Sequence, residues 1–207
     1  MKENRRPLLL LIDLQRAFCD FDGSMAAQGR PIDAMREAAR NCQTLADLAH
    51  DCGIPVAWTR MMFKADYSDG GMVTRLRPGL VKAGALRFGT PDVELCSLVS
   101  AGPSDILIDK PRYSSVLDTD LESYLRRSHI GRVIVGGVTT SMCVETTVRD
   151  LFQRDFETAV IEDACADFDQ PRHAASISAM AFGFARIFSL NCARALFRGE
   201  RLEEISG

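Results

Sequence analysis

The sequence holds no CxxC pair: its seven cysteines stand apart at positions 19, 42, 52, 96, 143, 165 and 192. An odd, scattered set supplies neither a paired disulfide framework nor a zinc knuckle, so the thiols are expected to be reduced, in a cytoplasmic protein. Histidine is scarce, with only His50, His129 and His173. No apolar run approaches the roughly 18 residues of a membrane span. Positive charge is not in excess either, and the net charge of -3 gives a field that draws in neither phosphate backbones nor anionic lipid. Nucleic acid and membrane are thereby set aside as partners, and a small molecule is expected instead. No GxGxxG follows the first apolar run and no GxxxxGK[ST] occurs anywhere, which removes the nucleotide-binding α/β proteins.

What is present suits one domain spanning 1–207, since 207 residues at 46% hydrophobic content can close around a single core. The start, MKENRRPLLLLIDLQ, is similar to a secretory signal in having basic residues before an apolar run. Asp13 interrupts that run and no small-residue cleavage site follows, so it reads as the first buried strand. Six short apolar runs are predicted strands: Pro7–Asp13, Ile54–Thr59, Asp105–Asp109, Arg132–Val138, Thr158–Glu162 and Ala185–Ser189. Their nearly continuous hydrophobicity implies cover on both faces. Helical stretches at Ile32–Asp51, Asp118–Ser128, Ser141–Arg154 and Pro171–Phe182 alternate with them, a rhythm that favours a parallel sheet in a three-layer α/β/α domain. Between Met61 and Gly102 periodicity fades and glycine and proline crowd in. A short helix is expected at Asp92–Val99, and the excursion as a whole is the candidate for substrate-selecting loops.

Open parallel sheets bind ligands beyond the carboxyl ends of their strands. Three residues there carry chemistry. Asp13 ends LLLLI, where a carboxylate has no packing role and is costly to bury without a partner. Lys110 follows DILID. Cys143 lies in GGVTTSMCVETT, just past VIVGGV, where the N-terminus of a helix and a nearby lysine would favour the thiolate. An acid, a cation and a thiol at three strand ends make the kind of set that nucleophilic catalysis uses.

At these positions the chain resembles the isochorismatase-like cysteine hydrolases, a family that includes nicotinamidases and amidohydrolases of N-carbamoylsarcosine, ureidoacrylate, maleamate and biuret. The segments that carry the resemblance are LLLIDLQRAF, IDKPRYSSV, VIVGGVTTSMCVETTVRD and TAVIEDACADFD. It implies a six-stranded sheet in the order 3-2-1-4-5-6 and a triad in which Asp13 takes the thiol proton, Lys110 holds the charges and Cys143 attacks a carbonyl. It also implies a cis peptide at Val138–Thr139 that aims the N–H groups of Thr139 and Cys143 into an oxyanion hole. In that order Lys110 starts two strand spacings from Asp13, on the order of 10 Å, so the loop after it is expected to fold inward.

Metal-dependent members carry an Asp and two His ligands after the second strand. No histidine stands in Arg60–Arg77 here, so no metal or other cofactor is expected. The presence of Cys143 favours cleavage of a C–N bond in a small amide or ureide over hydrolysis of a vinyl ether. Phe18, Trp58, Tyr67, Tyr113 and Thr140 are the candidate pocket walls, and Arg60, Arg77 or Arg87 the candidate carboxylate partners. A homo-oligomer, dimer or tetramer, is the expected assembly. The alternatives are an isochorismatase-type hydrolase and a silent oligomeric or redox module in which Cys143 is only an oxidisable thiol.

Overall fold

The computed structural model describes residues 6–205. The basic start of the chain and the outermost ends of the expected 1–207 domain lie outside the described residues. The strands β1 (Pro7–Ile12), β2 (Val56–Met61), β3 (Ile106–Lys110), β4 (Arg132–Val138), β5 (Glu157–Ala166) and β6 (Arg186–Phe188) pair in parallel in the order β3-β2-β1-β4-β5-β6. This is the expected α/β/α sheet. β1 and β4 at its centre are buried at every residue, which is why LLLLI and VIVGGV read as unbroken apolar runs. Each Leu of β1 fully removed from water contributes about 1.5–3 kcal/mol. At the edge, β3 alternates between half-buried and exposed positions until Lys110.

The longest helix, Asp33–Asp51, buries Met35, Ala38, Ala39, Cys42, Leu45, Ala46 and Ala49, one stripe at three- and four-residue spacing. It packs over β1, β4 and β5. It ends where Gly53 takes φ 67°, a left-handed value that closes helices. Right-handed crossovers put the helices Glu145–Phe152 and Gln170–Gly183, which connect β4 to β5 and β5 to β6, on the opposite face from those joining the β1–β2–β3 half. No helix among the described residues is long and apolar enough to cross a membrane.

Several boundaries differ from the sequence expectation. β2 begins at Val56 and runs on to Met61, and Lys110 is the last residue of β3 rather than the first beyond it. β5 extends through Ala166, because a register shift after Val135 lets Cys165 and Ala166 pair with Gly137 and Val138. The helix Asp118–Ser128 is trimmed to Leu121–Arg127. No helix covers Asp92–Val99: a 3-10 turn at Pro91–Val93 gives way to extended chain, since Leu95 bridges Gln15 and the Cys96 N–H donates to the Leu14 carbonyl at 2.9 Å. Backbone pairing to a distant segment outweighs a weak local helical preference.

Gly137 decides how closely β4 approaches β1. Its φ is 128°, and an added Cβ would collide with the Ile12 carbonyl and amide. Gly137→Ala is expected to cost about 3 kcal/mol through overpacking, read as a lowered urea midpoint. An unchanged midpoint would mean that the two strands part without penalty.

Candidate active site

The three carboxyl-end residues converge. Asp13 follows β1 with φ 55°, a left-handed conformation that aspartate tolerates better than most residues, and its N–H donates to the Thr59 carbonyl of β2 at 3.1 Å. Its carboxylate is fully buried and accepts twice: Oδ1 from the Thr59 hydroxyl at 2.7 Å, Oδ2 from Lys110 Nζ at 2.7 Å. Lys110 pairs in register with Met61 of β2, so its own extended side chain crosses the width of β2 to reach Asp13. The ammonium also donates to the Arg112 carbonyl at 3.1 Å. The gap between first and third strands is thus bridged by the lysine stem itself, with the chain after it supplying a carbonyl.

Cys143 sits inside a π-helical turn, Thr140–Val144, that leads into the helix Glu145–Phe152, so the expected Ser141–Arg154 helix opens with a wider turn. The peptide bond before this turn, Val138–Thr139, is cis. The Thr147 hydroxyl donates to the Cys143 carbonyl at 2.6 Å and accepts from the Ser115 N–H at 2.9 Å, tying the turn to the segment after Lys110. Asp13 and Lys110 are the charged groups that act on the thiol.

Electrostatics correct one expectation. Burial pushes the Cys143 thiol well above the ordinary range, the Asp13 carboxylate pushes it further, and Lys110 offsets only part of this. The resting group is a thiol, and the start of a helix does not by itself make it a thiolate. Burial disfavours the charged form of Lys110, but the Asp13 carboxylate favours it, and its pKa is raised, so it stays an ammonium.

Other buried thiols share this behaviour: burial holds Cys165 up to about 12 and Cys42 well above its usual value. The sign follows directly. Below pH about 9 folded and unfolded chains both keep these protons, and the associated stability is complete; above it the unfolded chain ionises first. Stability is then expected to fall by up to about 1.4 kcal/mol per pH unit for each such thiol. Urea midpoints measured between pH 7 and 10 check this, and a flat profile would refute it.

Cys143 opens onto a cavity of about 550 Å³, with Asp13 and Lys110 behind it rather than on the wall. Thr139 and Met142 stand beside the thiol, and Phe18 and Tyr113 are apolar walls. The Met61–Gly102 excursion contributes Met61, Leu76, Arg77, Gly79, Leu80 and Leu86 to the cavity wall. Arginines at the mouth, Arg30, Arg77 and Arg172, are exposed, and one carboxylate faces them, Asp167. Asp167 is already engaged, accepting from Arg172 Nε at 3.0 Å and the Ser141 N–H at 3.0 Å. Arg77 Nε donates to the Tyr113 hydroxyl at 3.1 Å.

Five proposed contacts are not in this cavity. Trp58 is fully buried, and its Nε1–H donates to Asp105 Oδ2 at 2.7 Å, at the amino end of β3. Arg60 is held bidentate by Asp109 at 2.7 and 3.0 Å. Tyr67 donates its hydroxyl to the Ala85 carbonyl at 2.8 Å. Arg87 is an exposed residue that bridges Phe63. Thr140 is fully buried and its hydroxyl meets His173 Nδ1 at 2.8 Å, fastening the π turn to the helix Gln170–Gly183. Sequence reasoning missed Thr59, Asp167 and Arg172. Asp167 lies in the quoted TAVIEDACADFD segment, whereas a threonine inside VAWTRM carries no local signal. Among the described residues no cluster of three or more His, Cys, Asp or Glu is placed to hold a metal ion.

Comparison with known proteins bears on this geometry. The family model described as the isochorismatase domain matches residues 7–192. The chain is 29% identical over 169 residues to ureidoacrylate amidohydrolase RutB of Cronobacter turicensis, covering 75% of this chain and 72% of that protein. Its fold is similar to a cysteine hydrolase from Pseudomonas syringae pv. phaseolicola, with TM-score 0.84, 25% identity and coverage of 95% and 94% of the two chains. The N-carbamoylsarcosine amidase of Thermoplasma acidophilum shares the fold at TM-score 0.72, 20% identity and coverage of 98% and 99%.

Proposed function

Because this chain belongs to the isochorismatase-domain family, we propose that it is a cysteine-dependent amidohydrolase that cleaves a C–N bond of a small amide or ureide. The observation that carries the reading is the convergence of three strand ends at one wall of a ligand-sized cavity, with Cys143 on that wall and the paired Asp13 and Lys110 behind it. The ureidoacrylate amidohydrolase relative supports the C–N bond as the target.

The resting thiol needs a base as it attacks, and Asp13, the carboxylate that acts on it, is the proposed acceptor of its proton. Lys110 Nζ, 2.7 Å from Asp13 Oδ2, is the countercharge beside that base and the proposed holder of its position. The sulfur adds to the carbonyl carbon, and the backbone N–H groups of Thr139 and Cys143 are the proposed donors to the oxyanion. The proton held by Asp13 passes to the departing nitrogen, the C–N bond breaks, and the acyl group remains on sulfur. Water then attacks the acyl-thioenzyme, returning the proton to the sulfur and releasing the acid.

Ammonia or amine release from a panel of small amides and ureides tests this, with intact-mass analysis of rapidly quenched enzyme. Turnover together with a substrate-dependent mass increase on the Cys143 peptide is expected. Failure of the whole panel, with no covalent adduct on Cys143, would reject the reading in favour of a silent module.

The arginine-rich mouth, countered only by the already paired Asp167, supports a substrate with a free carboxylate. Arg77→Met is expected to raise KM about 10-fold for such substrates while kcat changes little, the loss of one charge-assisted hydrogen bond made equally in ground and transition states. A fall in kcat with KM unchanged would assign Arg77 to the chemical step instead.

A further inference from the structure

The cavity in front of Cys143 is walled by segments far apart in the chain. Met25 and Gln28 come from the one-turn helix Ser24–Ala27 and its end, Leu80 and Leu86 from the Met61–Gly102 excursion. A helix of four residues does not hold itself, because nucleation is costly and only propagation repays it. Its position is set by what it is tied to. Among the described residues, every hydrogen bond between residues 23–30 and the excursion ends on Asp92, which stands in the 3-10 turn Pro91–Val93.

Asp92 Oδ1 accepts the Ser24 N–H at 2.9 Å, and Oδ2 accepts the Ser24 hydroxyl at 2.7 Å. Oδ2 also accepts the Leu86 N–H at 2.7 Å. One carboxylate thus joins both wall segments through charge-assisted bonds, the stronger kind. Ser24 carries the tie onward, since its carbonyl accepts from Gln28 Nε2 at 2.9 Å. Leu86 has φ 55°, a left-handed conformation that a bulky residue keeps only where its surroundings over-determine it. Its carbonyl accepts the Phe63 N–H at 2.8 Å, so buried Phe63 fixes one end of this residue and Asp92 the other.

We propose that Asp92 is a positioning residue that sets the width of this cavity, and through it the size of the group that can reach Cys143. For substrates this rests on the amidohydrolase reading, whereas for access to the thiol it does not. Asp92 is not itself on the cavity wall and acts only through the segments it joins. Cutting the tie frees Met25 and Gln28 to move away from Leu86, so bulkier groups enter and small ones are gripped less closely.

The test reads access to Cys143 directly. The folded protein is alkylated with iodoacetamide or with its bulkier N-phenyl analogue, and labelling is followed by peptide mass with exposed Cys52 as internal standard. Tryptic residues 133–149 carry Cys143 as their single cysteine. Asp92→Ala removes the tie from one end. Ser24→Pro removes it from the other while preserving the helix start, because proline suits a first helical position and the preceding Gly23 is already extended, at ψ 158°. In both variants the phenyl reagent is expected to gain about 10-fold on the small one at Cys143, the weight of one charge-assisted hydrogen bond in a local opening. Fully buried Cys42 should stay protected. The double variant is expected to match Asp92→Ala, since both changes cut the same tie. The kcat/KM ratio of bulky to small amides should rise by a similar factor. A shifted labelling ratio without turnover of any amide would reject the amidohydrolase reading and leave the role of Asp92 standing. An unchanged labelling ratio in either variant, or labelling of Cys42 in step with Cys143, would overturn the proposal.

Discussion

Cys143→Ala is expected to lower kcat for amide or ureide hydrolysis by about 10⁴-fold or more while leaving the fold intact. The size follows from the role: removing a nucleophile abolishes the covalent route and leaves only binding and oxyanion contacts, a loss of several orders of magnitude in other covalent hydrolases. The fold survives because a small buried thiol is replaced by a methyl group, and Thr147 still holds the backbone of the turn through the residue 143 carbonyl. The same variant should also soften the alkaline loss of stability, since one of the raised thiols is gone. Steady-state kinetics and urea titrations at pH 7 and 10 report the two effects separately. Retention of even a hundredth of the rate would point to a nucleophile other than Cys143.

Lys110→Met is expected to destabilise the protein by about 3–5 kcal/mol, because it leaves the Asp13 carboxylate buried with no countercharge. The Thr59 hydroxyl remains as a partner, but one neutral donor does not replace a cation at zero exposure. Adding Asp13→Asn removes the stranded charge, so the double variant should regain most of the stability. It should remain inactive, having neither base nor cation. Equilibrium unfolding of both single variants and the double measures the coupling. Additive losses would mean that the ion pair contributes nothing to the folded state, and a stable, active Lys110→Met enzyme would remove lysine from the mechanism.

The central strands could be read from the chain because burial on both faces leaves an unbroken apolar run, as in LLLLI and VIVGGV. A charged or reactive residue at or just past the end of such a run, Asp13 or Cys143, stands out for the same reason. The pocket walls could not be read this way. Trp58 and Arg60 lie on one strand, and which way each side chain leads depends on neighbours 47 and 49 residues away, Asp105 and Asp109. Tyr113 and Phe18 do reach the cavity, yet nothing local separates them from Tyr67, which turns to the Ala85 carbonyl.

Sequence by itself therefore determined the parallel sheet, the strand ends that carry Asp13, Lys110 and Cys143, and the stretch of chain that contributes much of the cavity wall. These depend on hydrophobic periodicity and punctuation, which are local. The tertiary structure alone decided that Lys110 crosses β2 to pair with Asp13, that the Cys143 thiol rests protonated, and that Arg77 and Arg172 rather than Arg60 and Arg87 face the cavity. Each of these is set by burial and by contacts between residues far apart in the chain, where the free energy of a charge depends on what surrounds it rather than on what precedes it.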